Sequence, residues 1–511
     1  MDFQEIVIDF VTLRDGILNI SGYLNNIRLN KSIVAICNGQ IFHPDSFDYP
    51  TRRNNLVKNF DFKIPVIDKD LKISLKVDCA YSRIRFREIC HLSECSHYFI
   101  KDNKIVYFDG EFNVVDYSYF KLFQLEMKDF IKILFNHESF FRQALFFRLL
   151  YLLLYPIMKN RHIWIILDRK DIADDNGEHF FKYALGQDDG VTKFFAIKEQ
   201  SDDFKRLNSN YKNILKYGSV KHRFYYAFAE KVISSQGSEF YLNPFRNKNP
   251  KLTANLFSLD FYFLQHGIIK DDMSTWLRKY DRNPKLIVTS SQMEYDSLFD
   301  ERYFYDKEVI QILGLPRYDN LEDIDFKKEI LIIPSWRNYL NDEESFINSE
   351  FYKRFNSLIN NDKLIDYASK NNYRIVFKGH PELERFLHLF DRNYYVKFGH
   401  DIKYQDLFNQ SSLLVTDYSS VFFDFAYLKK PVIYYQYGMD YHYNSENSYF
   451  DYDEMGFGEV TYSEDKLVEK IIEYIDNDCR MESVYQNRVD KFFKFRDKNN
   501  SKRCYDWIYG H

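Results

Sequence analysis

The spacing of apolar positions changes character along the chain. From Ile6 to about Phe112, short apolar runs alternate with polar ones and no helical periodicity is sustained. Leu71-Lys-Ile-Ser-Leu-Lys-Val77 alternates strictly, and Ile17-Leu-Asn-Ile-Ser21, Phe60-Asp-Phe-Lys-Ile64 and Lys104-Ile-Val-Tyr-Phe108 are similar short runs. A period of two places alternate side chains on one face and predicts antiparallel β structure with one face buried. From about Val115 to Met158, Phe, Leu and Lys recur at i, i+3, i+4 spacing, which predicts helix. After His162 nearly unbroken apolar runs end in polar or Gly-containing loops and alternate with amphipathic stretches. The runs are 163–167, 193–197, 231–235, 260–264 and 286–288, then, beyond Gly314-Leu-Pro-Arg317, 330–333, 373–377, 413–415 and 431–435. Strands apolar on both faces and separated by helices mark parallel sheets built from βαβ units. The two sets predict two Rossmann-like domains facing each other, closed by helices at Lys466–Asp476 and from about Glu482.

Composition narrows the classes. At 511 residues the chain is long enough for several domains, and 70 Lys+Arg against 75 Asp+Glu, a formal charge of -5, argue against a nucleic-acid binder. Six cysteines, Cys37, Cys79, Cys90, Cys95, Cys479 and Cys504, are too sparse for a disulfide scaffold and fit a reducing cytosol. The run Cys90-His-Leu-Ser-Glu-Cys95-Ser-His97 lacks a second ligand pair of recognisable spacing, so no metal is expected. The first residues carry no basic segment followed by an apolar one, so no secretory signal is expected. Aromatic residues make up 19% of the chain. Most fall inside predicted strands and helices, where they fill core. Only the cluster at Phe140–Tyr155 keeps an interfacial reading. It overlaps the most apolar segment, Ala144–Met158, which is interrupted by Arg148 and flanked by Arg142, Lys159 and Arg161. A spanning helix needs about 20 apolar residues. The segment is therefore expected to be either a buried interdomain helix or an interfacial one.

Ligands of doubly wound sheets bind beyond the carboxyl ends of the strands. Past strand 260–264 comes Gln265-His266-Gly267, where a His followed by Gly suits proton transfer with close substrate approach, or is a structural His. Past 373–377 comes Lys378-Gly-His380-Pro, a second strand-end His with positive charge nearby. Past 413–415 comes Thr416-Asp417-Tyr-Ser419-Ser420, either a helix cap or an anion site. Past 330–333 comes Pro334-Ser-Trp-Arg337, either a phosphate clamp or a surface ion pair with Asp342-Glu-Glu344. Walker, G-x-G-x-x-G, D-x-D and H-E-x-x-H patterns are missing from these loops; Asp323-x-Asp325 and Asp451-x-Asp453 do not directly follow a predicted strand.

At these residues the sequence resembles the CDP-glycerol glycerophosphotransferases, the teichoic-acid and capsule polymerases and primases. The matching stretches are Phe263–Asp272, Leu313–Leu321, Ile333–Arg337, Gly379-His-Pro381, Val415–Phe425 and Lys430–Tyr435, with Ile163–Arg169 and Asp174–Phe180 resembling the opening of the catalytic module. The resemblance implies an α/β fold of GT-B type: two facing Rossmann-like domains, with an N-terminal β-rich accessory domain. Residues 1–158 match no motif of comparable clarity; periodicity and resemblance together divide the chain into a β-rich domain at 1–114, a helical, membrane-contacting linker at 115–160, an acceptor domain at 161–322 and a CDP-donor domain at 323–511 with closing helices.

The resemblance also implies roles. His266 is the general base and His380 contacts the transferring phosphoryl group. Arg337, Asp417, Ser419, Ser420 and Arg317 lie on the donor phosphate side, and Gly267 and Lys270 on the acceptor side. Asp424 organises its helix. Gln265 stands where other branches of the family carry Trp. The implied reaction moves polyol phosphate, glycerol phosphate first, from a CDP-polyol donor to a lipid-linked or oligomeric polyol-phosphate or saccharide acceptor and releases CMP. No cofactor and no nucleic acid are implied. The implied location is cytoplasmic, peripheral on the inner face of the cell membrane. A GT-B glycosyltransferase using a nucleotide sugar and a non-catalytic membrane-associated scaffold are the alternatives the sequence leaves open.

Overall fold

The computed structural model describes residues 5–24, 32–48, 51–52, 55–67, 70–78, 80–88, 90–93, 95–136, 139–246, 248–322, 327–337, 339–399, 401–437 and 448–511. Cys79 and the Asp323-x-Asp325 pair lie outside them.

The described residues up to Asp116 form two large sheets and a two-stranded pair, Thr51–Arg52 with Asn55–Leu56. One runs Arg83–Phe86, Glu5–Arg14, Ile17–Leu24, Lys58–Pro65, Ser46–Asp48; the other runs Tyr98–Lys101, Lys104–Phe108, Phe112–Asp116, Leu71–Val77, Ile33–Cys37, Gln40–Phe42. Pairing among these described strands is antiparallel except where Glu5–Arg14 meets Arg83–Phe86 in parallel. Leu71, Ile73, Leu75 and Val77 are buried while Lys72 is exposed, as the strict alternation predicts. They pack with Ile8, Ile20, Phe60, Phe62 and Val114 in one core. From this unit Arg14 Nε donates to Asp260 at 2.8 Å and Lys101 Nζ donates at 3.1 Å. Asp260 opens the strand that ends beside His266, so the β unit braces the base of that strand.

Helices Tyr119–Asn136 and Phe141–Met158 form an antiparallel hairpin. The second is 18 residues long, longer than the apolar segment read from the sequence, and is long and apolar enough to cross a membrane by length and composition alone. Arg148 is not an interruption at its surface. Its guanidinium is fully buried, donating to Glu126 at 2.7 Å, Asp129 at 2.9 Å and Asn255 at 2.8 Å. One face of the helix packs inward through Ala144, Phe147, Tyr151 and Leu152. The other exposes Phe146, Leu149, Leu153 and Ile157. One face of the helix is thus buried within the protein, and the other is exposed and apolar.

Two parallel sheets follow. The first runs Ile214–Lys216, Thr192–Ile197, Ile163–Leu167, Lys231–Ser234, Asp260–Phe263, Leu286–Thr289, Ile310–Ile312. The second runs Val396–Phe398, Arg374–Phe377, Glu329–Ile333, Leu413–Thr416, Val432–Tyr435, Gly458–Thr461. The central strands are buried at every position, Ile163–Leu167 among them, because helices cover both faces. The expected pair of Rossmann-like domains is present. The strands that periodicity did not reveal, Ile214–Lys216, Ile310–Ile312, Val396–Phe398 and Gly458–Thr461, all lie at sheet edges. They are three or four residues long and each carries a polar or charged residue facing partly outward.

The chain passes between the domains through the 3₁₀ turn Pro316–Asn320. It returns at the end. Helix Asn500–Gly510 packs on Asn176–Leu185 and on that turn, with Trp507 against Tyr262 and Tyr505 against Trp164. Gly314, in the left-handed region at φ +79°, sits against the Asn500 side chain, and no Cβ fits there. The closing helix thus belongs spatially to the first sheet.

Candidate functional site

The site grows from four strand ends that meet between the domains. Past Asp260–Phe263, Gln265 adopts a left-handed backbone at φ +63° and turns the chain sharply. Its side-chain amide donates to Val288 O and, at 3.1 Å, to Glu294 Oε1. Glu294 also accepts from Ile269 N at 2.9 Å and Ser290 N at 2.7 Å, and burial pushes its carboxyl up to about 7. The turn is therefore fixed on both sides of His266. The imidazole Nδ1 of His266 is hydrogen-bonded to Asp175 Oδ2, and 61% of the side chain is exposed. Asp175 caps helix Asn176–Leu185. Burial opposes its ionisation, but His266 and Arg317 hold its carboxyl well below the usual carboxylate range. A carboxylate on Nδ1 keeps the proton there and leaves the Nε2 lone pair open to accept one.

His380 has the opposite polarity. Its Nδ1 accepts from Glu382 N at 3.2 Å, so the neutral ring carries its proton on Nε2. Burial, then the charges of Arg169 and His266, push its imidazole down to about 4. Ser419 and Ser420 lie past Leu413–Thr416. Ser420 has helical dihedrals and its hydroxyl makes no capping hydrogen bond, so the simple cap reading does not hold. Two cavities, of about 330 and 870 Å³, share Arg169, His266, His380, Ser419 and Ser420 as lining. Those five residues form the neck of one cleft. Gly267 is tightly placed there: a Cβ on it would lie 3.2 Å from Ser420 Oγ, across the domain boundary.

Arg337 does not reach the cleft and does not pair with the 342–344 acids. It is 3% exposed, and its guanidinium donates to Asp417 Oδ2 at 2.8 Å and Ser335 Oγ at 2.8 Å. Asp417 is fully buried and also accepts from Ser335 N at 2.8 Å and Tyr418 N at 2.7 Å. The phosphate clamp read at Arg337 is corrected to a buried pair that ties two strand-end loops together. Arg317 does line the smaller cavity, but donates to Asp424 at 2.6 and 2.8 Å and to Asp175 at 2.7 Å. Asp424 therefore does more than organise its helix, since it joins the two domains through Arg317. Lys270 lines the larger cavity with its ammonium 2.6 Å from Asp271.

Residues 145–510 match the family described as CDP-Glycerol:Poly(glycerophosphate) glycerophosphotransferase. The chain belongs to that family. Minor teichoic acid biosynthesis protein GgaB of Bacillus subtilis (strain 168) is 43% identical over 385 residues, which is 73% of this chain and 42% of that protein. Teichoic acid ribitol-phosphate polymerase TarL of Staphylococcus aureus (strain NCTC 8325 / PS 47) is 27% identical over 241 residues, 47% of this chain and 40% of that protein. The chain thus spans about two fifths of the length of these curated relatives. The solved Wall Teichoic Acid Polymerase TagF shares the GT-B-type fold at a TM-score of 0.55, with 17% identity, covering 76% of this chain and 98% of that one.

In this family member, the structure brings His266, Gly267, His380, Ser419, Ser420, Arg317 and Lys270 to one cleft, and leaves Arg337 and Asp417 behind its wall. It adds Asp175, Glu294 and Arg169. Asp175 stands in Asp174–Phe180, a stretch the family resemblance included without giving this residue a role. Glu294 lies 25 residues beyond Ile269 and had no signal in the sequence. Cys90 is buried in the β-sandwich core, and His97 is paired with Asp129 beneath the hairpin.

Proposed function

We propose that this protein transfers a polyol phosphate, glycerol phosphate first, from a CDP-activated donor to a hydroxyl of a growing teichoic-acid-like or capsular polymer. The observation that carries the reading is the pair of histidines at the neck of the interdomain cleft with opposite ring nitrogens committed. Family membership supports the donor class. The acceptor hydroxyl attacks the β-phosphorus of the CDP-polyol. His266 Nε2 takes the hydroxyl proton while the new P–O bond forms. The bond between the β-phosphorus and the bridging oxygen breaks, and CMP leaves with the electron pair. His380 donates its Nε2–H to a phosphoryl oxygen, and the Ser419 and Ser420 hydroxyls hold the diphosphate. Catalysis rests on positioning and on hydrogen bonds that strengthen as charge develops. In this reading Arg317 sets the domain closure, and Arg337 with Asp417 braces the Ser335 and Tyr418 loops.

The proposed setting is the inner face of the cytoplasmic membrane, where a lipid-linked acceptor would sit. The exposed stripe Phe146, Leu149, Leu153 and Ile157, beside Phe120 and Phe135 of the partner helix, supports peripheral attachment.

Incubation with CDP-glycerol, CDP-ribitol and UDP-sugars together with an oligomeric acceptor tests the function. CMP release is expected, falling roughly 10²–10⁴-fold in His266→Ala. UDP release instead, or turnover unchanged by His266→Ala, would overturn the reading.

A further inference from the structure

A diphosphate donor brings negative charge that this cleft has to meet, and the cations the sequence pointed to are committed elsewhere. Arg317 is shared between Asp424 and Asp175, Arg337 is sequestered on Asp417, and Lys270 rests on Asp271. Arg169 is placed differently. It lines both cavities and stands at their neck with His266, His380, Ser419 and Ser420. Its side chain is partly exposed, and among the described residues none of the carboxylates around it is its ion-pair partner. The neighbouring carboxylates are used by others. Asp175 serves His266 and Arg317, and Asp174 lies 3.3 Å from Lys403 Nζ. Asp168 accepts from Gly177 N at 2.8 Å and Glu178 N at 3.0 Å, and burial raises its carboxyl well above the usual range.

The backbone around Arg169 is rigid for a reason visible in those bonds. Asp168, the residue past strand Ile163–Leu167, fastens the start of helix Asn176–Leu185, so the loop between them is tied at both ends. The positive charge of Arg169 also acts on His380 and Tyr404, which places it on the side of the cleft that faces the second domain.

We infer that Arg169 is the cation that receives the donor's diphosphate: its guanidinium bonds the phosphoryl oxygens at the neck, between His266 and His380. A planar guanidinium offers paired donors matched to phosphate oxygens, which an ammonium does not. Standing in both cavities, it contacts the transferring phosphoryl group on the donor side and again as that group joins the acceptor. The inference rests on the phosphotransferase reading above, and its test separates the two.

The test measures binding of CDP, CMP and cytidine to the full-length chain by calorimetry, for wild type, Arg169→Gln and Arg169→Lys. Unchanged melting temperatures establish that both variants are folded. Wild type is expected to bind CDP more tightly than CMP. Arg169→Gln is expected to weaken CDP roughly ten- to hundredfold while cytidine binding stays unchanged, and Arg169→Lys to recover part of the loss. CDP affinity unchanged in Arg169→Gln would overturn the inference, as would a wild-type chain that binds no CDP. Arg169-dependent CDP binding without CMP release from CDP-glycerol or CDP-ribitol sinks the phosphotransferase reading alone and leaves the assignment of Arg169 standing.

Discussion

His266 and His380 both lie past the carboxyl end of a parallel strand, yet their hydrogen-bond partners make them different. Asp175 holds the His266 proton on Nδ1, whereas the Glu382 amide takes the Nδ1 lone pair of His380. His380 is pushed down to about 4 against an ordinary value of 6.5, so it stays neutral through the physiological range. Its contribution to stability has a definite sign. The unfolded chain binds a proton at this site below about pH 6.5 while the folded chain does not, so stability falls as pH falls from 6.5 toward 4. Relative to His380→Asn, which cannot titrate, wild type is expected to lose about 2 kcal/mol between pH 7.5 and pH 5. Thermal unfolding of both proteins at the two pH values measures this difference; parallel curves would refute a neutral, buried His380. That two histidines stand at strand ends was legible from apolar runs followed by polar loops. Their chemistry was not, because the Asp175 that orients His266 lies 91 residues away in sequence. The same limit misread Arg337, whose partner Asp417 is 80 residues distant.

Among elements, the hairpin departs most from its sequence pattern. A charged residue in an apolar helix reads as a break in membrane affinity. Here the fold turns Arg148 inward onto Glu126 and Asp129, and the outward stripe from Phe146 to Ile157 is left apolar. Burying one Arg against two carboxylates is affordable only with each hydrogen-bonded, and removing the Arg leaves two buried charges unmatched, at a cost of about 3–5 kcal/mol. In the proposed peripheral attachment, the contact with the membrane falls to the outward stripe. Combined Leu149→Ser, Leu153→Ser and Ile157→Ser substitutions are expected to abolish co-sedimentation with anionic vesicles. CMP release to a soluble acceptor is expected to stay within about twofold, since the stripe touches nothing in the cleft. Undiminished vesicle binding would remove the hairpin as the anchor. The central strands of both sheets were legible because burial on both faces leaves unbroken apolar runs. The edge strands were not, since one open side admits polar residues and shortens the run.

At the scale of the molecule, an ionic triad joins the two domains beside the cleft. Arg317, in the interdomain turn, ties Asp424 of the second domain to Asp175 of the first, and the Asp175 carboxylate also orients His266. The contact between the domains and the orientation of His266 thereby share one carboxylate. Arg317→Met is expected to lower stability by about 3–5 kcal/mol, because two buried carboxylates lose their partner. It should also increase the radius of gyration in small-angle scattering and reduce CMP release. An Arg317→Met chain as compact and active as wild type would show that the triad does not set closure.

The sequence by itself determined the order of layers, the two parallel sheets and the loops that carry chemistry, because burial periodicity and strand-end position are local properties that any single stretch of chain displays. It also carried enough of its family's motifs to name the chemistry class. Which charges are spent inside the protein and which are left for a substrate was decided only by tertiary structure. Arg148, Arg317 and Arg337 are all cations in sequence, and each is neutralised by a carboxylate between 19 and 142 residues away. Arg169, which the sequence offered only as the end of the stretch Ile163–Arg169, lines the cleft with no carboxylate partner among the described residues, since Coulomb pairing depends on distance in space and not on distance along the chain.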